Sequence, residues 1–393
     1  MSLDDLPFLW GAATSAHQVE GGNTGNDWHE WETRPDTICV EPSGAACDHV
    51  NRYASDIALL GALCLNSYRF SIEWSRVEPR PGEFSASWLD HYRRVHQACR
   101  ARGLLPAPTF HHFTNPLWVA HDGGWENPAT AERFARFCDR VADAVGELAA
   151  VAVTINEPNM PALLGYEDGV HPPGTRDRAA RLRATEVLID GHRRAVAAIR
   201  SRCPDLPVGM ALAMADWQAL PGGEDEMAEV RRLREDVFLE ATDGDDFVGV
   251  NTYTRHRIGP EGWMGNEPGV EETSIGWEFW PQALEATLRR AWEVTGGRTL
   301  IATESGIATD DDARRIAYID GAVAGLRRAM ADGVDVRGFL YWSALDNFEW
   351  QMGYGPKFGL IGVDRTTQER TLKPSARHLG ELARDAPRGA VEL

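Results

Sequence analysis

Short apolar or β-branched runs alternate with long amphipathic stretches from one end of this chain to the other. That alternation limits the folds open to it more than any other feature. Eight runs read as strands, at residues 8–11, 66–70, 105–110, 151–155, 208–213, 247–251, 300–303 and 338–341. A continuous apolar run such as Val151-Ala-Val-Thr-Ile155 reads as a strand buried on both faces of a parallel sheet. Between runs, Phe134, Phe137, Val141, Val145 and Leu148 recur at helical spacing, as do Ile316, Ile319, Val323, Leu326 and Met330. No Pro/Ser-rich linker, low-complexity tract or step in composition divides the 393 residues. Alternating β and α elements on an undivided chain predict one α/β domain over residues 1–393.

Eight such units could build an open doubly wound sheet or a closed barrel. An open dinucleotide-binding sheet would carry a glycine-rich turn after its first strand, and no GxGxxG occurs here. A phosphate loop, HExxH and GxSxG are missing as well. Carboxylate, amide and aromatic residues stand at the strand ends instead, and in a closed barrel those ends converge on one mouth. The sequence therefore predicts a single (β/α)8 TIM barrel.

Charge and cysteine usage exclude several classes of function. Fifty-nine acidic against 40 basic residues give a formal net charge of −19, a field that repels nucleic acids and anionic membranes. The longest apolar run, 57–65, is shorter than the ~18 residues a membrane-spanning helix needs. None of the six cysteines sits in a CxxC or at paired metal-ligand spacing, which predicts free thiols and a cytoplasmic protein. The first Lys or Arg is Arg34, so no signal peptide is expected. The oligomeric state is left open.

The chemistry concentrates at two strand ends. Thr154-Ile-Asn-Glu-Pro158 places Asn156 and Glu157 just past the fourth strand, and Ala302-Thr-Glu-Ser-Gly306 places Glu304 at the end of the seventh. These strands lie on different sides of a closed barrel, so the carboxylates can face one another across its mouth. Two facing carboxylates are the minimum apparatus for cleaving a glycosidic bond. On spacing alone a divalent metal site stays open, although adjacent His111 and His112 would point to opposite faces of a strand. Aromatic side chains, with 14 Trp and 13 Phe, could supply flat platforms for the C–H faces of sugars.

These segments resemble a known family. Phe8-Leu-Trp-Gly-Ala-Ala-Thr-Ser-Ala-His-Gln-Val-Glu-Gly21 is similar to the N-terminal signature of glycoside hydrolase family 1 β-glycosidases. Asn66-Ser-Tyr-Arg-Phe-Ser-Ile-Glu-Trp-Ser-Arg76 is similar to their second-strand motif. The Asn-Glu-Pro and Thr-Glu-Ser-Gly segments resemble the acid/base and nucleophile motifs. Tyr341-Trp-Ser-Ala-Leu-Asp-Asn-Phe-Glu-Trp350 and Lys357-Phe-Gly-Leu360 complete a likeness that runs nearly end to end.

The resemblance implies Glu304 as nucleophile and Glu157 as general acid, then base. It implies Arg69 and Tyr253 as the groups that hold Glu304 ionised, and Asn156 as the partner of the sugar 2-hydroxyl. Gln18, His112 and Glu349 would bind the other hydroxyls, over a Trp342 platform with Trp350 at its edge. No metal or organic cofactor is implied. The expected activity is that of a retaining, exo-acting β-glycosidase, a β-glucosidase with tolerance for galactosides or fucosides, acting on small β-glycosides or short oligosaccharides. The same intermediate would serve a transglycosidase, whereas a non-catalytic carbohydrate-binding barrel would carry a damaged carboxylate pair.

Departures bear on sugar preference. Phe113 stands where the family often has Trp, Ser305 where Asn is frequent, and Thr252 where Tyr is common. Family members that act on 6-phosphoglycosides present Ser, Lys and Tyr to the phosphate, and this chain has Glu349, Pro356 and Phe358 there. The chain is also short between its fifth and seventh strands. A Gly-rich loop over 254–276 would leave a shallow, open cleft, with Trp263 as an aglycone platform and Trp277 just beyond the loop.

Overall fold

The computed structural model describes residues 3–385. In chain order its strands are β1 (Leu9–Ala13), β2 (Ser67–Ser71), β3 (Leu105–His111), β4 (Ala152–Asn156), β5 (Val208–Ala213), β6 (Asp216–Ala219), β7 (Phe247–Asn251), β8 (Arg255–Gly259), β9 (Gly262–Trp263), β10 (Leu300–Ser305) and β11 (Val336–Trp342), followed by a short C-terminal hairpin. Eight of them close into a parallel barrel in the order β1-β11-β10-β7-β5-β4-β3-β2. All eight runs read from the sequence are barrel strands, with ends displaced by at most two residues.

Alternation along the strands builds two layers of core. Leu9, Ala107, Val151, Val153, Ala211, Phe247, Ile301 and Leu340 pack together inside the barrel. Their neighbours, such as Trp10, Ala152 and Ala302, join the larger cluster between sheet and helices. Helix Ala129–Val145 buries Phe134, Phe137, Val141 and Val145 of the expected stripe, and Leu148 falls past its end in a short turn, half-buried. Two of those rings lie 5.5 and 5.4 Å from Trp74. Each buried phenylalanine contributes about 2–3 kcal/mol by area. Aspartates start the long helices: the Asp177 carboxylate accepts from Ala179 N before Arg178–Arg202, and the Asp311 carboxylate from Ala313 N before Asp312–Ala331.

Between β5 and β10 the helix-prone sequence after the fifth strand is helical, and the loop expected over 254–276 is where the structure differs. After helix Glu224–Arg231 the chain continues in helical turns to Ala241. Strands β6, β8 and β9 form a small separate sheet, so 254–276 is partly ordered strand. Polar ties supply what its glycines do not: Arg255 holds the Glu278 carboxylate at 2.9 and 2.6 Å and lies 3.7 Å over the Trp280 ring. Among the described residues, no helix is long and apolar enough to cross a membrane.

Candidate active site

Both carboxylate strands carry one extra residue just before the acid. On β4, Val153 pairs with Gly209 and Asn156 with Ala211, three residues against two. On β10, Ala302 pairs with Val250 and Glu304 with Asn251, again one residue too many. The parity matters, because Val153 and Ile301 point into the barrel. Strict alternation would then turn Asn156 and Glu304 outward toward the helices. The bulges re-aim them inward. Thr154 and Ile155 both take the outer side, the first bonding His192 on helix Arg178–Arg202 at 2.8 Å and the second joining the outer cluster. Glu157 follows at φ +47°, in the left-handed region that non-glycine residues rarely occupy. Phe113 and Trp350 share that strain at the same mouth, at +69° and +55°.

The two carboxyls have different partners. Arg69 Nη1 donates to Glu304 Oε1 at 2.6 Å, and the Tyr253 hydroxyl donates to Oε2 at 2.5 Å. Glu157 Oε1 accepts from Asn251 Nδ2 at 2.8 Å and has no cation of its own. Burial and the charge of Glu304 push Glu157 up to about 8, against the Asn251 hydrogen bond and the Arg69 charge. Burial also raises Glu304, opposed by the Arg69 charge and by hydrogen bonds from Tyr253 and Arg69. Arg69 and Tyr253 thus make the contacts expected of them, but they lessen the cost of burial without cancelling it. The stronger opposition makes Glu304 the first of the pair to lose its proton.

A cavity of ≈ 680 Å³, counted with its open mouth, lies over this pair and is lined by His112, Asn156, Glu157, Tyr253, Glu304, Trp342, Glu349 and Trp350. Arg69 and Gln18 do not line it. Both sit behind it, Arg69 under Glu304 and Asn156, and Gln18 donating to the Phe348 carbonyl at 2.7 Å and Glu349 Oε2 at 3.4 Å. Two buried polar atoms of the lining residues have no protein partner, Glu349 Oε1 and His112 Nδ1. Burial and the nearby Arg69 charge push the His112 imidazole well below its ordinary value, so it is neutral. Arg69 Nη2 donates to Asn156 Oδ1 at 2.5 Å, which turns Asn156 Nδ2 toward His112 Nε2 at 3.3 Å. Nε2 is then the acceptor, and Nδ1 carries the proton as a free donor. One acceptor and one donor in a buried, aromatic cavity suit a polyhydroxylated ring. Trp342 supplies a flat wall, stacked with His112 at 5.7 Å.

The outer wall is mostly apolar: Phe113, Met160, Leu164, Ile275, Trp277, Met352 and Phe358. Glu157 and Glu304 are 8% and 3% exposed, so the floor is deeper than the shortened loops suggest. Trp263 is not part of the lining. It is 67% exposed on the small sheet, edge-on to His256, and Trp277 takes the place expected of it. His111 bonds Asn115 at 3.0 Å and packs on Trp125, away from His112. Among the described residues, no three His, Cys, Asp or Glu side chains are grouped to hold a metal ion.

Asn251 and Thr303 are the site residues that the sequence reading missed. Asn251 Nδ2 donates to both Glu157 and Asn156, and its Oδ1 accepts from the Thr303 hydroxyl at 2.6 Å. A polar residue ending β7 beside Tyr253 was the available signal, and it read as the close of a strand.

A sequence profile of glycosyl hydrolase family 1 matches residues 4–244 and 241–387. β-Glucosidase A of Thermotoga maritima is 30% identical over an alignment covering 95% of this chain and 97% of the relative. A bifunctional β-D-glucosidase/β-D-fucosidase of Bifidobacterium breve is 30% identical, with 94% and 95% covered. The crystal structure of β-glycosidase BGL167 superposes with a TM-score of 0.91 at 48% identity, covering 98% of this chain and 99% of that one.

Proposed function

The chain belongs to glycosyl hydrolase family 1, and from that premise we propose that it is a retaining, exo-acting β-glycosidase that releases a terminal β-D-glucosyl residue. The observation that carries the reading is the unequal pair of buried carboxyls. Glu304, held by Arg69 and Tyr253, attacks the anomeric carbon as the bond to the leaving oxygen breaks. Glu157 gives its proton to that oxygen. Water then enters, Glu157 takes a proton from it, and the hydroxyl displaces Glu304 from the anomeric carbon. Asn156 Nδ2 meets the 2-hydroxyl, while Glu349 Oε1 and His112 Nδ1 read the remaining hydroxyls over Trp342. Gln18 acts from behind by holding Glu349, and Trp350 closes the edge. The relative that handles fucosides supports tolerance at the sugar 6-position. Residues 1–393 would serve as one catalytic domain. Six unpaired cysteines favour the reducing cytoplasm.

A panel of aryl β-glycosides, followed by proton NMR and repeated with added alcohols, tests this reading. The first-formed sugar should be the β-anomer, and an alcohol adduct would reveal glycosyl transfer through the same intermediate. Burial pushes the Glu349 carboxyl well above its ordinary range, and no Lys or Arg is among the described residues lining the cavity to receive a phosphate dianion, so a 6-phospho-β-glucoside should react more slowly than its unphosphorylated counterpart. An α-anomer as first product overturns the retaining mechanism, and preference for the phosphosugar overturns the role of Glu349.

The apolar outer wall carries a further expectation. Few groups there can hydrogen-bond a second or third sugar, so each added glucose should contribute under about 1 kcal/mol, or about fivefold. Specificity constants across cello-oligosaccharides of increasing length should therefore be nearly flat. A steep rise with length would reveal sugar subsites on that wall.

A further inference from the structure

We infer that Asn251, its amide direction locked by Arg69 through Asn156 and by Thr303, dictates which oxygen of Glu157 carries the acid proton. The inference rests on reading Glu157 as the acid/base. It starts from an arginine, which only donates. Arg69 Nη2 lies 2.5 Å from Asn156, so the Asn156 atom facing it is Oδ1. That oxygen also lies 3.0 Å from the Asn251 amide and needs a second donor, which makes the Asn251 atom Nδ2. The same Nδ2 reaches Glu157 Oε1 at 2.8 Å. Asn251 Oδ1 is then left on the other side, where it accepts from the Thr303 hydroxyl at 2.6 Å. The packing reserves room for that hydroxyl: a Cβ on Gly249 would lie 2.7 Å from Thr303 Oγ1. Asn251 is 1% exposed, so water does not compete for these bonds.

An N–H aimed at Oε1 is best met by an unprotonated oxygen. The proton that Glu157 delivers therefore sits on Oε2. The same bond favours the carboxylate and draws the carboxyl back from the height to which burial and Glu304 push it. Without Thr303, Asn251 Oδ1 loses its donor and only the Asn156 contact still opposes a turned amide, whose carbonyl would favour the protonated acid on Oε1. Thr303 and Asn251 are positioning residues, since both act through Glu157.

The test is the pH dependence of kcat/KM on an aryl glucoside with a poor leaving group. Asn251→Ala should move the alkaline limb up by about 1 pH unit, the size of one hydrogen bond to a charged oxygen. Thr303→Val should move it the same way by less, and Thr303→Ser, which keeps the donor, should leave it in place. Glu304, Arg69 and the Tyr253 phenol face the same carboxyl and are retained in all three variants; because Asn251 also bonds Glu304, the acid limb is read beside the alkaline one, and Thr303→Val against Thr303→Ser isolates the direction of the amide. Thermal melts establish which variants fold; should Asn251→Ala fail to fold, the comparison of Thr303→Val with Thr303→Ser decides. An alkaline limb left in place by the folded Asn251→Ala or Thr303→Val variant overturns the inference while leaving the enzyme a glycosidase. Failure of the unmodified protein to hydrolyse any β-glycoside overturns the functional reading itself.

Discussion

Glu304→Ala should lower turnover of aryl β-glucosides on the order of 10⁶-fold, the scale seen when a covalent nucleophile is lost. The covalent route ends with that carboxylate, because no other group is bonded in its place by both Arg69 and Tyr253. Azide or formate can enter the space vacated and attack the anomeric carbon directly. Rate should then return in part, and the product should have inverted configuration, since one displacement replaces two. Near-native hydrolysis by Glu304→Ala would remove the assignment.

The variant should also fold less stably than a strand-end carboxylate at an open mouth would suggest. Glu304 is buried against Arg69, itself 1% exposed, and removing it leaves a guanidinium without its counter-charge. Breaking such a pair costs about 3–5 kcal/mol. Arg69 keeps its bonds to Thr109 and Asn156, which moderates the loss. Glu304→Gln keeps an acceptor for Arg69, and its melting temperature should lie between those of the alanine variant and the parent.

Glu157→Gln should have the second-largest effect, and an uneven one. A carboxamide offers no acid proton, so substrates with poor leaving groups should lose about 10²–10⁴-fold in rate of glycosyl transfer to the enzyme. Dinitrophenyl glycosides leave without protonation and should lose far less in that step. Burial and the Glu304 charge push Glu157 up to about 8, so the alkaline limb of the parent's pH–rate profile should vanish in the variant. Asn251 Nδ2 can still bond the glutamine oxygen, so the local geometry has a reason to persist. An equal loss across leaving groups would make Glu157 a positioning residue instead.

How far the sequence reaches follows from what each signal reports. Apolar periodicity reports burial one element at a time, and its eight runs, 8–11 through 338–341, fall on the eight barrel strands, Leu9–Ala13 through Val336–Trp342. The motifs, written in contiguous residues, brought Glu157, Glu304, Asn156, His112, Trp342 and Glu349 to one mouth. Trp263 escaped this kind of reading, because whether a loop aromatic meets the cavity depends on how β6, β8 and β9 pair, and pairing is not a local property.

The sequence by itself determined the barrel, the chain order of its strands and the residue types at its mouth, because each is encoded by neighbours along the chain. Only the tertiary structure decided that those side chains point inward. Counted by parity from Val153 and Ile301, Asn156 and Glu304 belong outside, and the extra residue that corrects each strand exists only relative to its partner's register. The tertiary structure also decided which carboxyl keeps its proton. That outcome depends on Arg69 and Tyr253 meeting Glu304 while Glu157 has no cation of its own, across separations of up to 235 residues in the chain. Hydrogen-bond direction and desolvation are properties of that meeting, and no stretch of sequence contains them.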